Sequence, residues 1–266
     1  MTQQNHSFRS LIITGGSSGI GEAILKRFLC LHPDARVINL SRSAPKISHD
    51  DARVEHYTVD LRNRAEVSGA ITRIKCKLNE QSRQGRVLLV NNSGIGQHAR
   101  FQDLPASQHL ETIDLNLCAT LQLTINLLPE LLHFGGKIVT VSSTSAYQPT
   151  PRMATYGASK CFLRNWSLAL GEDLRGTKVS TLCLCPGVTE TPFIAKAGFR
   201  RGVRSPFGVQ TVEKVVDALY KAIASNRSLI IPGCRNRAIA WLAATVPIRL
   251  STRSAAWLMD WAKKYV

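Results

Sequence analysis

The stretch LIITGGSSGIGEAILKRFLCL, residues 11–31, decides the fold. Residues 11–14 are apolar or β-branched and read as a short strand, and residues 21–31 have the length and period of an amphipathic helix. Between them stand Gly15, Gly16, Gly19 and Gly21. A glycine-rich turn from strand to helix lets the backbone approach a pyrophosphate, whose charge is stabilised by the N–H groups and dipole at the helix N-terminus. The same turn also serves plain strand-to-helix connections, so its meaning depends on what surrounds it.

Outward from this stretch, apolar runs at 37–40, 54–59, 87–90, 137–141, 179–184 and 229–231 predict further strands. Segments 64–81, 110–132, 153–174 and 212–224 have helical length and period. Strands apolar on both faces and joined by helices imply an α/β protein with a doubly wound parallel sheet of about seven strands, helices covering both sides. At 266 residues the chain is near the size at which one core stops growing. Residues 1–232 read as one domain and 233–266 as a C-terminal helical extension. The one long connection, residues 190–210, has the length of a functional loop.

Hydrophobic residues at 44% and charged residues at 20% argue against a disordered or membrane-embedded chain. The net charge of +16 brings nucleic acid, anionic membrane and acidic partners into question. The cations are scattered and no nucleic-acid motif occurs, so no specific nucleic-acid partner is expected. The N-terminus MTQQNHSF lacks a cationic segment followed by a long apolar one, which predicts a cytoplasmic protein. Seven cysteines, with no Cys-x-x-Cys and no His at zinc spacing, predict neither disulfides nor a metal site. They read as buried, reduced thiols, and Cys183 and Cys185, alternate on a strand, read as core packing.

Several further motifs follow the strands in order. Ser41-Arg42 ends the second, where NAD-binding relatives of this fold carry an acid for the ribose 2′-hydroxyl; a hydroxyl and a guanidinium suit a 2′-phosphate instead. Asp60-Leu61 follows the third, and Asp60 alone could be a helix N-cap. Asn91-Asn92-Ser93-Gly94 ends the fourth. Asn116 lies inside a predicted helix. Ser143 follows the fifth strand, and thirteen residues later comes Tyr156-Gly157-Ala158-Ser159-Lys160. Tyr156 and Lys160, four apart, share a helix face, so the ammonium can sit by the phenol and favour its ionised form. An unperturbed Tyr titrates near ~10, too high for easy proton exchange at neutrality.

In this order the motifs resemble the short-chain dehydrogenase/reductase family across residues 11–191, with Ser93 where the family has Ala. The resemblance implies a Rossmann-type fold and an NADP(H)-dependent enzyme, rather than an NAD(H)-dependent one, that interconverts a carbonyl and an alcohol. It assigns catalysis to Ser143, Tyr156 and Lys160, with Asn116 supporting a water-linked proton path. It assigns cofactor binding to Gly15, Ser17, Ser18, Gly19, Ile20, Gly21, Ser41, Arg42, Asp60, Leu61, Asn92, Ser93 and Gly94, to Tyr156 and Lys160, and to Pro186, Gly187, Val188 and Thr191. Asp60-Leu61 resembles the adenine-contacting pair, and Pro186-Gly187 the segment at the nicotinamide end. A homodimer or homotetramer is the assembly implied. A non-enzymatic NADP-binding sensor or scaffold on the same fold is the alternative.

The C-terminus is the least family-like part. Arg235, Arg237, Trp241, Arg249, Arg253, Trp257, Trp261, Lys263 and Lys264 mix cations with aromatics. Residues 238–248 are apolar but far shorter than the ~20 needed to span a bilayer. A helix packed on the domain or an interface is one reading, and a helix lying on an anionic membrane the other. Lys196, Arg200, Arg201 and Arg204 form a second acid-free cluster, which suits either an apolar substrate beside anionic lipid or an anionic substrate.

Overall fold

The computed structural model describes residues 7–47, 51–80, 85–199 and 208–265, with side chains through Trp261. The strands are β1 (Phe8–Thr14), β2 (Arg36–Ser41), β3 (Val54–Thr58), β4 (Arg86–Asn91), β5 (Gly136–Val141), β6 (Val179–Leu184) and β7 (Leu229–Ile230). They form one sheet in the order β3-β2-β1-β4-β5-β6-β7, and every pairing is parallel. The chain runs outward from β1 to β3, then crosses back to lay β4 on the other side of β1. Loops leaving β1 and β4 therefore diverge, which opens a crevice at the carboxyl ends of these strands.

Alternate residues feed two apolar slabs. On one face Leu11, Ile13, Leu88 and Val90 meet Leu25 and Phe28 of α1 (Gly19–Leu31) and Val215 and Leu219 of α7 (Val212–Ala224). On the other, Ile12, Leu89 and Ile138 meet Ile71 and Ile74 of α2 (Arg64–Asn79) and Leu123 and Leu127 of α4 (Ala119–Phe134). These side chains are buried, each contributing about 1.5–3 kcal/mol. Leu170 of α5 (Ala154–Asp173) packs on the second slab.

The predicted helix over 110–132 is longer and interrupted. It comprises α3 (Ala106–Ile113), a π turn at Asp114–Cys118 and α4. The run Ala106–Phe134 is long and apolar enough to cross a membrane by length and composition, yet α4 packs on α2 and the sheet. β1 starts earlier than predicted, at Phe8, and β7 has only two residues. After β6 come α6 (Pro192–Lys196) and α7. Lys196 lies in α6; Arg200, Arg201 and Arg204 lie outside the described residues.

The extension folds as α8 (Cys234–Thr245) and α9 (Ile248–Tyr265). Val246, extended at ψ 142 because Pro247 follows, ends α8. Asn236, Ala240, Ser251 and Ala255 are buried, and α8 packs on the turn after Ser143. The cysteine reading needs correction. Only Cys183 and Cys185 are buried, their sulfurs 3.7 Å apart, while Cys30, Cys76 and Cys234 are exposed because their helices turn them to solvent.

Candidate active site

The glycine turn is built so tightly that side chains are excluded from it. Gly15 and Gly19 adopt left-handed backbone, at φ +69 and +57. A Cβ on Gly21 would stand 2.2 Å from the Gly15 carbonyl oxygen. Asn92 stitches this turn to β4: its Nδ2 donates to the carbonyls of Thr14 at 2.9 Å and Gly15 at 3.2 Å. The Thr14 hydroxyl accepts in turn from the N–H groups of Asn92 and Ser93. Ser18 precedes α1 in extended backbone and its side chain caps nothing. The N–H groups of Gly19, Ile20 and Gly21 are thus the unpaired donors of a 13-residue helix, aimed where an anion would be stabilised.

At the end of β2 the two expected residues behave differently. Ser41 is buried, accepts from Asn39 Nδ2 at 2.9 Å and donates to the Ser43 carbonyl at 2.8 Å, so its hydroxyl is already committed. Arg42 is exposed, close enough to Asp60 to favour its charge. The Asp60 carboxyl is held down to about 2, first by hydrogen bonds from Arg62, whose Nη2 lies 2.6 Å away. The N-cap reading of Asp60 is overturned. Asn63 caps α2, accepting from the N–H groups of Ala65 and Glu66, because it stands immediately before the helix. Leu61 is buried in the second slab.

Ser143 and Tyr156 meet beyond β5. Ser143 is the N-cap of a 3₁₀ turn at Thr144–Tyr147 and accepts from Ser145 N–H at 3.1 Å. Met153 bends the chain before α5, which then carries Tyr156 and Lys160. The Tyr156 side chain keeps part of its surface exposed, yet burial pushes its phenol up to about 12, while the hydroxyls of Ser143 and Ser145 pull it back down. Gly96 lets the loop after β4 lie on the Tyr156 ring; a Cβ there would be 2.6 Å from Cδ2.

The expected ammonium–phenol contact is not what the geometry shows. Lys160 Nζ lies 5.7 Å from the Tyr156 ring centroid and donates to the Val141 carbonyl at 2.9 Å. Because Lys160 is buried, its ammonium is lowered to about 8. The residues share a helix face, but the long side chain turns to the end of β5 instead of the phenol.

Asn116 lies in the π turn, fully buried. Its Oδ1 accepts from Ile95 N–H at 2.9 Å, and its Nδ2 donates to the Ile95 carbonyl at 3.0 Å and to Ser159 Oγ at 2.9 Å. This side chain fastens the loop after β4 to α5. A Cβ on Gly94 would stand 3.1 Å from Lys160 Nζ and 3.3 Å from Asn116 Oδ1, so the glycine keeps both beside the loop.

After β6, the Pro186 carbonyl accepts from Thr144 N–H at 2.9 Å. Gly187 is pressed against Asn236 of α8, whose amide would meet a Cβ at 2.5 Å. Val188 is 40% exposed, facing outward from this segment. Thr191 stands at the N-cap position of α6 without a side-chain cap bond, its methyl 3.1 Å from where a Gly19 Cβ would stand, so the segment after β6 lies against the glycine turn. A cavity of about 350 Å³ adjoins the site, lined by Gln97, Arg100, Phe101, His109, Arg152 and Tyr156 among others. Ser143 and Lys160 do not line it. Thr14, Ser145, Gly96 and Asn236 escaped the sequence reading. Thr14 and Gly96 flank recognised motifs; Ser145 and Asn236 carry no signal in the sequence.

A profile of the family described as short chain dehydrogenase matches residues 9–200. The serine 3-dehydrogenase of Agrobacterium fabrum is 30% identical over 189 residues, 69% of this chain and 73% of that protein. The solved short-chain dehydrogenase from Sphingobium yanoikuyae in complex with NADPH is 25% identical, with a TM-score of 0.72 over 90% of this chain and 97% of that one. A short chain dehydrogenase/reductase from Burkholderia phymatum in complex with NAD shares the fold at 20% identity, with a TM-score of 0.76 over 90% and 93%. With the glycine turn, the parallel sheet and the profile spanning most of its length, this chain belongs to the short-chain dehydrogenase family of oxidoreductases.

Proposed function

We propose that the protein is an NADP(H)-dependent oxidoreductase that reduces a ketone or aldehyde, or oxidises the alcohol, with Tyr156 as general acid and base. The observation that carries this reading is the nearness of the Ser143 hydroxyl to the Tyr156 phenol, with Lys160 Nζ 5.7 Å from the Tyr156 ring centroid, at the same end of the sheet as a glycine turn suited to an anion-bearing ligand. The fold alone leaves the cofactor open, since relatives hold either NADPH or NAD. Arg42 decides it. No acid stands at the end of β2, and an exposed guanidinium there suits a 2′-phosphate through charge-assisted hydrogen bonds.

When bound, the dihydronicotinamide supplies the hydride. The chain supplies position and protons. A phenol kept protonated by burial is in the form that donates to a carbonyl oxygen gaining charge, and the Ser143 hydroxyl stabilises the same oxygen. Lys160, cationic below about 8, places its charge 5.7 Å from the Tyr156 ring centroid and would hold the nicotinamide ribose. Asn116 is a positioning residue, holding the loop that borders both. Exposed Leu110, Ile125 and Phe162 on α3, α4 and α5 support a homodimer or homotetramer.

NADPH oxidation across a panel of ketones and aldehydes, beside Tyr156→Phe, tests the proposal. Turnover by the parent and its loss in the variant support it. Nucleotide binding without turnover anywhere on the panel returns the chain to the sensor or scaffold alternative.

A further inference from the structure

We infer that the outward side of α8 and α9 is a seat for an anionic lipid bilayer. Each helix buries one side, through Asn236 and Ala240 in α8 and Ser251 and Ala255 in α9. The remaining surface carries Trp241 and Trp257, both 69% exposed, with Leu242, Ile248 and Leu250 between 55% and 63%. In α9, Leu250, Arg253 and Trp257 recur at spacings of three and four and so share one face. Exposed apolar side chains are ordinary one at a time; grouped in one helix pair with two indoles, they mark a binding surface.

Charge identifies the occupant. Arg235, Arg237, Arg249 and Arg253 are exposed, and none takes part in an ion pair among the described residues. The only acid of the segment, Asp260, is already held by two hydrogen bonds of 2.7 Å from Arg152. Arg152 thus neutralises the one acid that continues the Leu250–Arg253–Trp257 face, which is left cationic and aromatic. A second copy seated symmetrically would bring these arginines against each other. Lipid headgroups neutralise the arginines while the indoles and aliphatic groups enter the acyl boundary, which satisfies both kinds of side chain together. The break at Pro247 leaves helices of 12 and 18 residues, and α9 carries Arg249, Arg253 and Asp260, so the pair lies on a bilayer instead of crossing it. The Arg152–Asp260 pair ties α9 to the wall of the cavity beside Tyr156, so a seated protein holds that cavity next to the headgroups.

The test is sedimentation of the full chain with vesicles of phosphatidylcholine alone and of phosphatidylcholine mixed with phosphatidylglycerol. Binding is expected to the mixed vesicles only, weakening as salt rises. Trp241→Ser/Trp257→Ser and, independently, Arg249→Glu/Arg253→Glu should each lower partitioning about tenfold or more, with thermal unfolding unchanged. Failure of the parent to bind mixed vesicles overturns the inference, as does binding that neither pair of substitutions affects. It is equally overturned if sedimentation velocity shows the tryptophan variant dissociating a dimer of the parent, which would assign the face to a second copy.

Discussion

The carboxyl ends of the sheet and the C-terminal helix pair treat their polar groups in opposite ways. Around the crevice three asparagines are committed to contacts within the chain: Asn92 to Thr14 and Gly15, Asn39 to Gly16 and Ser41, Asn116 to Ile95 and Ser159. On α8 and α9 the arginines and indoles face solvent. A buried donor or acceptor that loses its partner costs about 1–3 kcal/mol, so these bonds hold the loops around the crevice in place. The outer helices, lacking such constraints, leave their side chains available to something outside the chain. Substitutions in the first region should alter chemistry, stability or nucleotide choice; in the second they should alter none of these.

The sharpest division comes from Tyr156→Phe, which removes the acid and little else. Turnover should fall by about 10²–10⁴-fold while nucleotide affinity, read by calorimetry, stays near that of the parent. A variant within a few-fold of the parent would remove Tyr156 from the chemistry and break the comparison at its centre. Asn116→Leu leaves the N–H and carbonyl of Ile95 without their partner. Urea unfolding should show a loss of about 2–3 kcal/mol; an unchanged midpoint would show that the π turn does not depend on this side chain.

Arg42→Ala should weaken NADP(H) by about 1.5–3 kcal/mol and leave NAD(H) nearly unchanged, measured as two dissociation constants. Equal losses for both nucleotides would mean that Arg42 reads no 2′-phosphate. A smaller effect follows from pH. Lys160, lowered by burial to about 8, is charged below that value and neutral above it, whereas Tyr156, raised to about 12, stays protonated throughout. Carbonyl reduction should therefore decline as pH rises through about 8, and Lys160→Arg, which keeps its charge, should move the decline upward. A flat profile to pH ~10 would detach Lys160 from the reaction. Smallest of all is Trp257→Ser: with the ring 69% exposed, unfolding free energy should change by no more than about 0.5 kcal/mol. A larger loss would show that the indole packs on the protein and that the two regions are less different than they look.

Much of the crevice is legible in the sequence, because its parts are local. A strand needs only a β-branched run, a left-handed turn needs glycine, and a helix face is set by spacings of three and four, so β1 to β7, Gly15 to Gly21 and the Tyr156–Lys160 pair follow from neighbours in sequence. The order of Ser143 and Pro186 along the chain also placed them at the ends of successive strands, with Tyr156 on the helix between. Other features depend on which side chain arrives from far away. Asn116 sits in a π turn and bonds to Ile95, 21 residues off, so helical periodicity could not reveal its partner. Asp260 reaches Arg152 across 108 residues, and Asn236 presses on Gly187 only because α8 folds back beneath the crevice. Lys160 shares a face with Tyr156, as spacing requires, yet its ammonium goes to Val141, since a long flexible side chain chooses among acceptors that only the packed sheet brings within reach. Local backbone preferences are written in short stretches of residues; burial and the partners of polar groups are set by the order in which the sheet assembles them.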